Sequence, residues 1–232
     1  MNDGLDITLY EDATELASAV AHEAMELIAL HLLEKGVCHI ALTGGSLGSQ
    51  FAYRLMESFN AQSVDLTGVH IWFSDERFEA ADSRLRNAKP VRDGLENLSV
   101  TVHEVTSTDA GVSVSDAAAR YDTDLGDIEM DICVLGLGPD GHVASLFPHH
   151  WDPHVKARAI AITDSPKPPA ERVSFSMDFI NASSQVWIIA AGESKAIAVS
   201  QVLEGDRDIP AGHVAARELT RLIVDSEAFF AE

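Results

Sequence analysis

The stretch I-C-V-L-G-L-G-P-D-G-H-V-A-S-L-F-P, Ile132 to Pro148, decides the fold. It opens with an apolar run bounded by turn residues, which predicts a buried strand. The glycines that follow permit backbone angles closed to other residues and let a ligand approach closely. Ligands of open parallel sheets bind beyond the carboxyl ends of the strands, so we expect Asp140 and His142 at a binding site. Histidine readily exchanges protons near neutral pH, which makes His142 a candidate acid or base.

Apolar runs and helical patterns alternate along the rest of the chain. Asp12 is expected to cap the first helix, with Glu15 in the capping-box position, and Gly36 to end it. Asn87 is expected to cap a short helix. The alternation predicts a single α/β domain over residues 1–232, with a mostly parallel sheet and helices on both faces. Strands are predicted at 7–10, 37–42, 69–73, 157–162, 173–177 and 185–191, helices at 13–35, 48–59, 115–125, 193–203 and 218–230, and a loop or short strand at 210–214.

The composition excludes several classes of partner. The net charge of −21 opposes binding to nucleic acid or to an anionic membrane. Cys38 and Cys133 each fall in a predicted buried strand, so we expect reduced core residues, and their spacing is not that of a metal site. No signal pattern begins the sequence and no apolar run approaches membrane-spanning length, which predicts a cytoplasmic protein without a membrane partner.

Two further polar blocks follow predicted strands. Thr43-Gly44-Gly45-Ser46 lies between a strand and a helix, an arrangement that points backbone N–H groups at an anion. The block lacks the lysine and spacing of known nucleotide-binding loops, so a tight turn without a ligand is an equal alternative. Ser74-Asp75-Glu76-Arg77-Phe78 follows the strand at 69–73. Three charges there favour a site, with a solvated loop holding an internal Asp–Arg pair as the alternative.

Together these blocks resemble the 6-phosphogluconolactonase family of the glucosamine/galactosamine-6-phosphate isomerase superfamily. The similar segments are A-L-T-G-G-S (41–46), S-D-E-R-F (74–78), L-G-L-G-P-D-G-H-V-A-S-L-F-P (135–148), P-K-P-P-A-E-R-V-S-F-S (166–176) and A-G-E-S-K-A (191–196). The resemblance implies a Rossmann-like sheet and hydrolysis of 6-phospho-D-glucono-1,5-lactone to 6-phosphogluconate in the pentose phosphate pathway, without a cofactor. Three segments depart from the family pattern, so the rim of the pocket is expected to differ: Leu47-Gly48, Phe78 to Ala81, and Arg86-Asn87-Ala88.

The resemblance also implies roles for individual residues. His142 is the candidate general base, and Asp140 is expected to orient His142 or its loop. Arg77 and Lys195 are the candidate phosphate ligands. Arg172 is a second candidate, with a salt bridge to a neighbouring acid as an equal alternative. Further substrate contacts are expected from Gly44, Gly45, Ser46 and Asp75, and no metal ligand is expected.

Two other functions remain as alternatives. The chain also resembles the glucosamine-6-phosphate deaminases and isomerases, which share the fold and the G-x-D-G-H loop. Those enzymes, however, use an acid at the position where this chain has Phe147. A phenylalanine cannot carry a proton, which favours the lactonase. A non-catalytic sugar-phosphate-binding protein is the second alternative. The expected partner is a small phospholactone, and the expected state is a monomer or weak homodimer.

Overall fold

The structure is a computed structural model that describes residues 4–61 and 64–230. Its strands are β1 (Leu5–Tyr10), β2 (Cys38–Leu42), β3 (Val69–Phe73), β4 (Asp75–Arg77), β5 (Thr101–Val102), β6 (Ile132–Gly136), β7 (Ala159–Ile162), β8 (Arg172–Phe175), β9 (Gln185–Ala190) and β10 (Leu219–Asp225). Its helices are α1 (Ala13–Lys35), α2 (Gly45–Ala61), α3 (Ala88–Gly94), α4 (Val114–Leu125), α5 (Met177–Asn181), α6 (Ala196–Glu204) and α7 (Ser226–Phe230). Short 3₁₀ turns lie at Thr108–Ala110, Glu193–Lys195 and Pro210–His213.

A seven-stranded parallel sheet organises the molecule, in the order β1-β10-β9-β6-β2-β3-β5. Helices α1 and α2 bury residues such as Leu16 and Phe51 against one face. Helices α4 and α6 bury Ala117 and Val199 against the other face. The expected sheet with helices on both faces is therefore confirmed. Strand β6 lies in the middle, so the glycine-rich segment that follows it emerges at the centre of the sheet's carboxyl edge.

A second, three-stranded antiparallel sheet lies beside the first, in the order β4-β8-β7. Buried Ser74 joins β3 to β4, because its N–H donates to the carbonyl of Leu42 and its own carbonyl accepts from Phe175. The charged block after β3 is thus a strand with fixed register instead of a loose loop. This register holds Asp75 and Arg77 at the carboxyl edge of the large sheet.

Helix α1 begins after Asp12 and ends at Gly36 as expected from the sequence, but the expected capping box is not formed, because Glu15 accepts from the Glu11 N–H instead of the Asp12 N–H. Asp12 Oδ1 accepts hydrogen bonds from the N–H groups of Thr14 and Glu15, at 2.7 and 2.9 Å. Gly36 ends the helix with a left-handed φ of 75°. Contrary to the sequence expectation, α1 is long and apolar enough to span a membrane by length and composition alone. In the structure it packs through its buried face against the sheet and α2.

Two local predictions are wrong, whereas the loop alternative expected at 210–214 is found, with a 3₁₀ turn at Pro210–His213. Residues 218–230 do not form one helix, because the apolar run Leu222–Ile223–Val224 is buried in β10 between β1 and β9, and only α7 follows. Asn87 makes no capping hydrogen bond, since its backbone is already helical and its side chain is used elsewhere. In each case a long-range contact outweighs the local pattern.

Candidate active site

A cavity of about 210 Å³ opens at the carboxyl ends of β2 and β6. Most of the site residues predicted from the sequence line it together: Gly44, Gly45, Asp75, Arg77, His142, Arg172 and Lys195. Ser46 lines an adjoining cavity of about 600 Å³, which shares Gly44, Gly45 and Lys195 with the first. Asp140 stands behind His142 and holds its ring. Residues from five separate segments of the chain therefore meet at one edge of the sheet, as ligand sites of parallel sheets do.

The loop after β6 fixes His142 through two backbone hydrogen bonds. Gly138 N–H donates to the His142 carbonyl at 2.9 Å, and Gly141 N–H donates to the Gly138 carbonyl at 2.9 Å. Gly141 takes a left-handed φ of 79°, which glycine adopts without strain. A Cβ on Gly138 would lie 1.8 Å from His142 Nδ1, so the absent side chain at residue 138 is what leaves room for the imidazole.

One ring nitrogen of His142 is hydrogen-bonded to Asp140, and the other is available to accept a proton. His142 Nδ1 makes a short hydrogen bond to Asp140 Oδ1, which places the proton on Nδ1 when the ring is neutral. Nε2 then carries the lone pair. The ring packs against buried Phe147 with centroids 4.6 Å apart, which limits its rotation. This geometry suits a general base held in one tautomer.

Burial, more than the charges around it, favours the neutral form of His142. Burial lowers the pKa of His142, and the Lys167 charge lowers it further, while Asp140 opposes both. Burial would raise the pKa of the Asp140 carboxyl, but the hydrogen bond and charge of His142, together with Lys167, outweigh burial and lower it. Burial and the neighbouring Lys167 also lower the pKa of Lys195. The cavity is therefore a cationic pocket in a strongly acidic protein.

Arg77 reaches the cavity from β4 with part of its guanidinium unused. Nη1 donates to the Leu85 carbonyl at 2.8 Å and to Asn87 Oδ1 at 2.9 Å. Nε is buried and has no hydrogen-bond partner within the described part of the chain. Asn87 in turn donates to the Asp75 carbonyl at 2.9 Å, and a Cβ on Gly44 would lie 2.2 Å from Asn87 Oδ1. Asn87 therefore braces Arg77, a role that replaces the helix cap expected from the sequence.

Glu76 serves the structure beneath the cavity. Its fully buried carboxylate accepts hydrogen bonds from the N–H groups of Arg77, Asn87 and Ala88, at 2.8, 2.8 and 2.9 Å. Arg86 Nε lies 3.7 Å away as its charge partner. Burial raises the pKa of Glu76, and Arg86 and the three N–H groups oppose that effect. The charged block after β3 thus divides into one buried brace and two residues that line the cavity.

Asp75 and Arg172 are largely engaged with each other and with the protein. Asp75 Oδ2 accepts a hydrogen bond from Ser145 Oγ at 2.7 Å and lies 3.7 Å from Arg172 Nη1. Arg172 Nη1 also donates to Ser145 Oγ at 3.4 Å. The other two guanidinium nitrogens donate to backbone carbonyl groups, those of Lys167, Pro168 and Pro169. This geometry favours the salt-bridge alternative for Arg172 over a phosphate ligand.

Two polar side chains of the cavity, those of Lys167 and Thr43, were not singled out from the sequence. Lys167 Nζ lies 3.2 Å from His142 Nδ1 and 3.3 Å from Asp140 Oδ1. It belongs to the P-K-P-P segment that carries part of the resemblance, which was an available signal. Thr43 Oγ1 accepts from Gly136 N–H at 3.2 Å and ties the two glycine turns together. Within residues 4–61 and 64–230, no cluster of three or more potential metal ligands is present.

Comparison with known proteins identifies the family. The model of the family described as glucosamine-6-phosphate isomerases/6-phosphogluconolactonase matches residues 11–223. The chain belongs to this family. It is 32% identical to the 6-phosphogluconolactonase of Streptomyces coelicolor, covering 98% of this chain and 95% of the relative. It is also 32% identical to the 6-phosphogluconolactonase of Mycobacterium tuberculosis, covering 96% of each.

Solved structures of the family share the fold. A 6-phosphogluconolactonase from Thermotoga maritima superposes with a TM-score of 0.83 at 24% identity, covering 96% of this chain and all of that one. A monomeric glucosamine-6-phosphate deaminase superposes with a TM-score of 0.82 at 18% identity, covering 97% and 98%. Fold similarity of this kind does not separate the two activities, so the choice between them rests on the site and on the relatives of higher identity.

Proposed function

We propose that the chain is a 6-phosphogluconolactonase, which hydrolyses 6-phospho-D-glucono-1,5-lactone to 6-phosphogluconate in the pentose phosphate pathway. The observation that carries the proposal is the shared cavity, which is lined by His142 together with Arg77, Lys167 and Lys195. A proton acceptor beside clustered cations suits an ester that carries a phosphate. Relatives at 32% identity over nearly the whole chain bear the same enzyme name.

The reaction requires an activated water and a proton for the leaving oxygen. His142 Nε2 takes a proton from water as the water oxygen bonds to C1 of the lactone. The tetrahedral intermediate then collapses, the bond between C1 and the ring oxygen breaks, and the imidazolium returns the proton to that oxygen. Asp140 holds the Nδ1 proton and stabilises the imidazolium while it exists, which keeps Nε2 directed at the substrate.

The substrate phosphate is assigned to Arg77, Lys195 and the first turn of α2. Arg77 has a buried Nε–H without a partner in the described chain, and a guanidinium matches the geometry of phosphate oxygens. Lys195 borders both cavities. The N–H groups at Gly45 and Ser46 begin a 17-residue helix, whose amino end favours an anion. Binding energy from this remote group serves to orient the reacting carbon.

Replacing Arg77 with methionine is expected to raise KM for the phosphorylated lactone by roughly 10–150-fold, because a hydrogen bond to a charged group contributes about 1.5–3 kcal/mol. Hydrolysis of unphosphorylated glucono-1,5-lactone should change much less, and initial rates on both substrates test this. Arg54→Met, at an exposed arginine paired with Glu57, is the matched control. Equal losses on the two lactones would exclude Arg77 as the phosphate ligand.

The acid limb of kcat/KM should lie below pH 6.5, the usual histidine value. Burial and Lys167 lower the pKa of His142, so the base is already neutral at pH 7 and becomes protonated only as the pH falls further. Activity should therefore hold constant through neutral pH and fall on the acid side of that value. A pH–rate profile measures the midpoint, and a midpoint at or above pH 6.5 contradicts the assignment.

Two assays separate this function from its alternatives. Release of acid from freshly prepared 6-phosphogluconolactone, corrected for spontaneous hydrolysis, is expected for a lactonase and absent for a binding protein. Release of ammonia from glucosamine 6-phosphate is expected to be absent, because buried Phe147 packs on His142 and offers no proton-transferring group. The reverse pattern would assign the chain to the deaminases of the family.

We further propose that the enzyme acts without a cofactor, in the cytoplasm, as a single domain and as a monomer or weak homodimer. The pairing of β1 with β10 supports a single domain, because the first and last strands belong to one sheet. The negative charge supports the expected lack of nucleic-acid or membrane partners. Size-exclusion chromatography with light scattering tests the oligomeric state.

A further inference from the structure

Ester hydrolysis places negative charge on the former carbonyl oxygen, and the groups assigned above leave that charge without a donor. Oxyanions of this kind are stabilised by positioned donors, often backbone N–H groups of a glycine-rich loop. In the loop after β6, four of these N–H groups already donate to protein oxygens. The Gly136 N–H donates to Thr43 Oγ1, and the Leu137 N–H donates to the Ile189 carbonyl. The Gly138 N–H donates to the His142 carbonyl, and the Gly141 N–H donates to the Gly138 carbonyl.

The cationic side chains of the cavity differ in how their N–H groups are used. Arg172 uses all three guanidinium nitrogens on Ser145 and backbone carbonyls. Arg77 and Lys195 are assigned to the phosphate at the far end of the substrate. Lys167 is the cation beside the base, with Nζ 3.2 Å from His142 Nδ1. It lines the cavity, and its side chain is 41% exposed, so its ammonium can reach a bound substrate.

The backbone that carries Lys167 is held firmly. Ser165 Oγ donates to the Lys167 carbonyl at 2.8 Å and accepts from the Lys167 N–H at 3.3 Å. Arg172 Nη2 donates to the same carbonyl at 3.0 Å. The ammonium is held from the other end by Asp140 Oδ1 at 3.3 Å and lies 5.8 Å from the centre of the Phe147 ring. Fixed donors of this kind need little reorganisation during a reaction.

We infer that Lys167 is a catalytic residue of the lactonase, and that its ammonium stabilises the oxyanion that forms at C1 when water attacks. This inference rests on the proposed function. As the bond between water and C1 forms, the π electron pair moves to the carbonyl oxygen, and the proposed role of the ammonium is to stabilise the charge there. As the ring bond breaks, the pair returns to C1, and no proton leaves Lys167. Asp140 thus holds the base on one side and the oxyanion donor on the other.

The test compares Lys167→Met with wild type on phosphorylated and unphosphorylated gluconolactone. Loss of one oxyanion donor is expected to lower kcat by about 10²–10³-fold. Both lactones should lose the same factor with little change in KM, because the interaction exists in the transition state and does not involve the phosphate. Lys167→Arg should recover part of the rate. Lys156→Met, at an exposed lysine paired with Asp178, is the matched control for a lost surface charge.

A second readout does not depend on turnover. In Lys167→Met the pKa of His142, followed by NMR of the imidazole carbons, should rise, because a neighbouring positive charge has been removed. A rise together with the matched kcat losses supports the inference.

Two outcomes overturn the inference while the lactonase function stands. An unchanged kcat would assign the oxyanion to another donor, and a loss confined to the phosphorylated lactone would make Lys167 a phosphate ligand. Absence of lactone hydrolysis by the wild-type protein, in contrast, would remove the proposed function itself.

Discussion

Replacing His142 with glutamine is expected to lower kcat for 6-phosphogluconolactone by about 10²–10⁴-fold, the usual contribution of a general base. Glutamine fills much of the space of the imidazole and can still hydrogen-bond to Asp140, but it cannot take a proton from water at neutral pH. KM should change little, because the phosphate is proposed to bind to Arg77, Lys195 and the first turn of α2, without His142. Initial rates, corrected for spontaneous hydrolysis, measure the effect.

The control for this substitution is His22→Gln, which alters an exposed histidine of α1. It should retain wild-type activity. Thermal melting of His142→Gln should show a folded protein. A folded His142→Gln variant with near-wild-type kcat would mean that a group other than His142 activates the water. The mechanism proposed for this cavity would then be wrong.

The second large effect is expected from Gly138→Ala, a change that adds one methyl group. The added Cβ would lie 1.8 Å from His142 Nδ1 and 2.6 Å from Asp140 Oδ1, so the imidazole or the loop must move. A displacement of about 1 Å at a reacting group can cost 10²-fold in rate. We therefore expect kcat to fall by roughly 10²-fold while the phosphate site, and hence KM, is preserved.

The double variant Gly138→Ala/His142→Gln separates displacement of the base from general damage. If the methyl group acts through His142, the double variant should be no slower than His142→Gln alone, because residues that act as a unit are not additive. If the two substitutions instead lowered kcat by independent factors that multiply in the double variant, Gly138→Ala would harm the cavity in some other way.

The sequence predicts the position of the site because of how a parallel sheet is built. The polar blocks that follow β2, β3 and β6 each begin where a strand ends, and the strands run in one direction, so the blocks meet at one edge. His142 and Arg77 could be placed together on these grounds, whereas Lys195 follows β9 and its place in the site was implied by the family resemblance. The cap at Asp12 and the stop at Gly36 were also predictable, because both depend on residues close in sequence.

The remaining features depend on contacts between distant segments. Lys167 lies beside His142 although 25 residues separate them in sequence, and apart from the family resemblance of its segment no local pattern indicates that contact. Arg172 could be a ligand or an ion pair until its three nitrogens are seen to be occupied. The apolar run of β10 suits a helix or a buried strand equally, and its place between β1 and β9 decides the matter. Local pattern cannot resolve such cases, because tertiary packing determines them.

The place of β1 at the edge of the large sheet, beside β10, affects how the protein folds during synthesis. Strand β1 pairs with β10, and the contacts between these ends of the chain, such as Ser226 Oγ with the Glu11 carbonyl, join residues 215 positions apart. A growing chain therefore leaves the ribosome with β1 lacking a neighbouring strand until β10 has been translated. During that interval the N–H and C=O groups of β1 are open to pairing with another nascent chain. Synthesis, more than catalysis, is the stage at which this enzyme is most exposed to aggregation.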